Sequence, residues 1–150
     1  MQTENWQLRL IQLFTVPGML IAFYLLLYHN GDLIVVCKSG GWEDCGLVSG
    51  PDAPYSAIGP VPVALIGLLG YLSIFLAIWL QDWFTVVEDN LPEIVVGLTG
   101  LAFLFSLGLT ALEAFIIHAF CRYCLISAVI VTVMFGLAIH YLRQINSLTR

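Results

Sequence analysis

Four stretches of this chain run without a charged side chain for long enough to cross a lipid bilayer: Leu10–Gly31, Ala53–Gln81, Ile94–Leu112 and Tyr123–Leu142. The hydrocarbon core of a bilayer is about 30 Å thick and takes a helix of roughly 20 residues. Inside it every backbone N–H and C=O must be bonded within the protein, which a helix does by itself. Composition agrees, since 60% of the 150 residues are hydrophobic and 10% charged, against about a quarter charged in soluble domains. The sequence therefore predicts an all-α integral membrane protein, a four-transmembrane-helix bundle with helices over about 10–28, 62–81, 94–115 and 121–142, in one domain spanning 1–150. The stretch from Ile94 to Leu142 is too long for one crossing, so a tight turn is expected between Glu113 and Arg122.

The first apolar stretch reads as a retained helix and not a cleaved leader, because Glu4 and Arg9 precede it without a small-residue cleavage pattern. Between it and the second lies a long polar connection, His29 to about Pro60, rich in glycine and proline and carrying Asp32, Lys38, Glu43, Asp44 and Asp52. A loop of that length is a candidate for function. A shorter linker, Asp82–Glu93, holds four more acidic residues. With four crossings both termini share one face and the long loop shares the other with the Glu113–Arg122 turn. Arg9, Arg143 and Arg150 flank the terminal face, while Lys38 and Arg122 lie opposite, which places the termini in the cytoplasm and the loop outside it. The net charge of -5 comes without any basic run, so no nucleic-acid partner is expected.

The chemistry sits in four cysteines. Cys37 and Cys45 lie in the long loop, and Cys121-Arg122-Tyr123-Cys124 opens the fourth apolar stretch. All four are expected at one membrane face. Two cysteines three apart in the first turn of a helix meet free backbone N–H groups and the positive end of the dipole, which favour the thiolate, and Arg122 adds a positive charge. A thiolate is the species that attacks a disulfide or an electrophilic ring. Considered alone, the loop pair equally suits a static structural disulfide. Zinc fits poorly, because the seven-residue spacing of Cys37 and Cys45 departs from the usual knuckle.

A cysteine pair in the first loop followed by Cys121-Arg122-Tyr123-Cys124-Leu125-Ile126-Ser127-Ala128 resembles the vitamin K epoxide reductase family in its bacterial, quinone-dependent form. Pro62-Val63-Ala64-Leu65-Ile66-Gly67, Tyr71 and Glu113-Ala114-Phe115-Ile116-Ile117 extend the likeness over nearly the whole chain. The resemblance implies a disulfide-generating oxidoreductase of the bacterial inner membrane. In it Cys37 exchanges with a thioredoxin-fold dithiol, Cys45 passes the electrons to Cys121, and Cys124 faces a quinone (ubiquinone, menaquinone or a relative). Many bacterial relatives carry a fused thioredoxin-like domain; this chain is expected to be of the type without one, so the partner is expected in trans. The hydroxyl that commonly precedes the Pro-Tyr pair of the family's loop is replaced by Ala53, with Ser49 and Ser56 nearby. The asparagine and tyrosine that hold vitamin K in the animal enzymes are replaced by Val63 and Ala128, so epoxide reduction is not expected.

Three further residues are candidates for contact with the quinone. Glu113 is a carboxylate at membrane depth, His118 lies three residues before Cys121 and has a side chain suited to moving protons, and Ser56 follows the Pro-Tyr pair. The rival to this redox reading is a non-catalytic tetraspan binding or assembly protein whose disulfides only staple the loop to the bundle.

Overall fold

The computed structural model describes residues 6–34 and 41–150; Cys37 and Lys38 lie outside the described residues. Four long helices are connected by one elaborate loop and two short turns. Helix α1 spans Trp6–His29, the loop contains α2 (Cys45–Ser49) and a hairpin of β1 (Ala57–Ile58) and β2 (Val61–Pro62), and α3 spans Val63–Leu80. Helix α4 (Thr85–Leu112) continues into a π-helical turn, Glu113–Ile117, and α5 spans Arg122–Leu148. All four long helices are long and apolar enough to cross a membrane.

The helices form a ring in which α1 packs on α3, α3 on α4, α4 on α5, and α5 back on α1. Leu8, Ile11, Ile74, Leu91, Val95 and Met134 fill its centre. Large apolar side chains such as Leu13, Leu20, Phe23, Leu104 and Leu107 are exposed on the bundle, a pattern that water would penalise and lipid tails do not. Small residues let the helices approach. A Cβ on Gly18 of α1 would run into the ring of Tyr71 on α3. The freed ring reaches α5, where its hydroxyl lies 2.6 Å from Ser127 Oγ. The termini meet at one end of the bundle, where the buried Gln7 amide nitrogen donates to Gln144 Oε1 at 2.7 Å. The loop and the Ile117–Arg122 turn meet at the other.

Two helix limits differ from the sequence expectation. Helix α4 begins at Thr85, not near residue 94, so Glu88, Asp89, Pro92 and Glu93 lie inside it. Acidic side chains are favoured in the first turns of a helix by its dipole, and a charge marks where the chain leaves the hydrocarbon, not where the helix stops. For the same reason α5 runs past Leu142 to Leu148, with Arg143, Gln144 and Asn146 extending it beyond the apolar stretch. The expected tight turn is present: His118 takes a left-handed φ of 55° and ends the π-helical segment.

Candidate functional site

The loop is fixed to the turn by backbone bonds. Phe120 N–H donates to Trp42 C=O at 2.8 Å, and Asp44 N–H donates to Phe120 C=O at 3.2 Å. This short parallel pairing of Glu43 with Phe120 brings Cys45, two residues after Glu43, to Cys121, the residue after Phe120. The Asp44 carboxylate then starts α2, accepting from the N–H groups of Gly46 at 3.0 Å and Leu47 at 3.2 Å. A carboxylate, and none of the nearby serine hydroxyls, therefore caps the loop helix.

Cys45 Sγ lies 3.6 Å from Cys121 Sγ, and neither residue is accessible to solvent. Cys45 is disulfide-bonded, whereas Cys121 and Cys124 are free. The Ser49 hydroxyl sits between the free pair, 3.9 Å from Cys121 Sγ and 3.8 Å from Cys124 Sγ. Glu113, buried in the π-helical turn, accepts from the backbone N–H of Cys121 at 3.4 Å. A π-helical turn is a rare element that recurs at functional sites, and here it aims a carboxylate at the residue that begins α5.

Cys121 occupies the N-cap position of α5. The Cys124 thiol beside it stabilises the Cys121 thiolate most strongly. Burial opposes this, and the Cys124 N–H, the Ser49 hydroxyl and the Tyr123 N–H add to it, so the Cys121 pKa falls to about 6. Arg122, expected to help, does not face the sulfur: its guanidinium pairs with Glu43 at 2.9 Å on the exposed side of the turn. A thiol lowered in this way is ionised at neutral pH to a larger fraction than an ordinary one near about 8.5. With Cys45 disulfide-bonded and the helix pair reduced, the ultraviolet absorbance of thiolate should therefore rise through pH 6, and this step should vanish in Cys121→Ser. Titration confined to pH values above 8 would contradict the assignment.

Below the sulfurs an apolar cavity of about 450 Å³ opens between the four helices. Ile66, Leu98 and Phe105 line its membrane part, and His29, Ser49, Ser56, Glu113 and Cys124 line it near the loop. Cys124 is thus the cysteine that meets the cavity, with Cys121 behind it. Of the three other sequence candidates, Ser56 and Glu113 are in the cavity wall. Ser56 is held there by its own hydroxyl, which donates to Ala53 C=O at 2.9 Å. His118 is exposed at the turn and is not among the lining residues.

Sequence reasoning gave Ser49 no site role and passed over His29 altogether. His29 ends an apolar stretch, where it reads as a boundary residue, but its Nδ1 is buried without a hydrogen-bond partner among the described residues.

The model of the vitamin K epoxide reductase family matches residues 9–139 of the chain. The chain belongs to that family. A comparison with individual curated proteins gives no match. Membership implies an oxidoreductase of the thiol–disulfide and quinone class, and the matched span takes in the loop, the turn and every residue named in the cavity wall. The family assignment and the four apolar helices together make the chain an integral membrane protein.

Proposed function

We propose that this chain takes two electrons from the dithiol of a thioredoxin-fold partner and passes them through Cys37 and Cys45, then Cys121 and Cys124, to a membrane quinone such as ubiquinone or menaquinone. The observation that carries this reading is the placement of Cys121: 3.6 Å from Cys45 on one side and next to Cys124, which lines the apolar cavity, on the other.

A partner thiolate attacks the loop disulfide, and the displaced thiolate of Cys45 attacks an oxidised Cys121–Cys124 pair at Cys121, whose sulfur lies 3.6 Å away. Cys124 leaves as thiolate at the cavity wall. Each exchange breaks one S–S bond and makes one, so no electrons are lost on the way. The low pKa of Cys121 makes it a good leaving group when the link to Cys45 is resolved. Ser49 and the first-turn N–H groups hold whichever sulfur is negative. The cavity suits a quinone, with an apolar slot for ring and chain and an unpaired polar nitrogen, a carboxylate and hydroxyls at one end. A bound quinone supplies the sink for two electrons and two protons.

The three arginines near the termini, set against Arg122 and Lys38 at the loop face, support cytoplasmic termini and an extracytoplasmic loop, as delivery of electrons from a secreted-protein oxidant requires. In reconstituted membranes, one quinone should be consumed for each partner disulfide formed. In cells, a cysteine at position 52 of a cysteine-free variant should react with an impermeant maleimide while one at position 147 should not. A protein whose cysteines keep one state across the whole range of thiol potentials would instead be a stapled tetraspan without redox activity.

A further inference from the structure

His29 carries an unmet hydrogen-bonding demand that the relay does not use. Its Nδ1 is buried and has no partner among the described residues. Leaving such a group unpaired is costly, so each case in a folded protein calls for an explanation. Two ordinary ones fail. A histidine in the last turn of a helix commonly serves the free carbonyls there, but the end of α1 is already served by backbone: Asn30 N–H donates to Leu26 C=O at 3.1 Å, Gly31 N–H to Tyr28 C=O at 3.0 Å and Asp32 N–H to Leu27 C=O at 3.0 Å, with Gly31 in the left-handed conformation that such an ending requires. Nor is His29 in an ion pair; among the described residues the ion pair is Arg122 with Glu43. The remaining feature of its surroundings is the cavity, whose wall it shares with Cys124, Ser49 and Glu113.

We infer that His29 is a quinone-contacting residue: its Nδ1–H donates to one ring oxygen of the quinone, fixing the ring in the slot beside Cys124, and hands over one of the two protons taken up on reduction. This rests on the proposed quinone chemistry and assigns a residue to it. A quinone oxygen accepts only, and imidazole is the side chain in this wall that donates through one ring nitrogen while the other takes up a proton. The balance closes over the whole relay: the quinone gains two electrons from the Cys121–Cys124 pair as it becomes a disulfide, and its two protons match the two released as the partner's dithiol becomes a disulfide, one of them reaching the ring through His29.

The test measures quinone binding and the infrared carbonyl band of bound, isotopically labelled quinone, alongside turnover. In the unaltered protein the labelled band should be shifted down by hydrogen bonding. His29→Leu should abolish that shift and weaken binding about tenfold, the effect of one lost hydrogen bond. His29→Gln, which keeps a donor but cannot relay a proton, should recover most of the affinity while the rate of hydroquinone formation stays down by on the order of 10²-fold. Formation of the Cys45–Cys121 link in a Cys37→Ala background should be unchanged in both, which reports intact folding. Unaltered affinity and band position in His29→Leu would overturn the assignment while leaving the relay standing. Failure of the unaltered protein to bind any quinone would overturn both.

Discussion

Replacing Cys124 with serine should stop quinone reduction whichever thiol compound supplies the electrons, with a loss of at least about 10³-fold, because it removes the sulfur that meets the cavity and with it the disulfide within the CxxC pair. Replacing Cys37 should separate the two halves of the pathway. Cys37→Ser should abolish oxidation of a thioredoxin-fold partner, since the loop disulfide can no longer form. A small dithiol able to enter the cavity should still reduce the Cys121–Cys124 pair, so quinone consumption with that donor should remain in part. The contrast follows from position. Cys45 and Cys121 are both sealed from solvent, and the proposed relay gives the exchange with a bulky partner to Cys37, whereas Cys124 lies in the wall of the cavity. Both donors are assayed in the same membranes, with quinone followed by its ultraviolet absorbance. Equal losses from Cys37→Ser and Cys124→Ser with the small dithiol would argue against divided roles.

The membrane helices were legible because four uncharged intervals leave little choice in lipid, and their centres agree with α1, α3, α4 and α5. Their limits were less legible. Glu88, Asp89 and Glu93 precede the third apolar interval and yet lie inside α4, since a charge keeps a residue out of the hydrocarbon and not out of a helix, and Glu88 in the first turn is favoured by the dipole. The meeting of Cys45 with Cys121 follows from two backbone bonds to Phe120, and backbone pairing over so few residues leaves no periodic trace in the side chains. Sequence adjacency was misleading for Arg122, which follows Cys121 but turns outward to Glu43. It was equally so for His118: three residues from Cys121 in sequence, it stands exposed at the turn. The opposite held for His29 and Ser49, which are far from the CxxC pair in the chain and join Cys124 in one cavity wall. Nothing in the pattern of an apolar stretch says which polar atom at its end will be buried without a partner among the described residues.

The most direct test of the relay is to trap its middle step. In Cys37→Ala the thiol that would re-form the loop disulfide is missing, so once Cys45 has attacked Cys121 the link between them cannot be resolved from the loop side. The two sulfurs, 3.6 Å apart with one as a free thiol, need move by only about 1.5 Å to reach disulfide bonding distance. Cys124 is then left as a thiolate at the cavity wall, where an electron-poor ring beside it should give a visible charge-transfer absorption. The protein is purified from membranes without reductant, its disulfides are mapped by peptide mass, and its spectrum is recorded with and without the further change Cys124→Ser. The relay predicts Cys45 joined to Cys121 in most molecules and a quinone-dependent band that disappears with Cys124. Cys45 and Cys121 both free, with no such band, would contradict it.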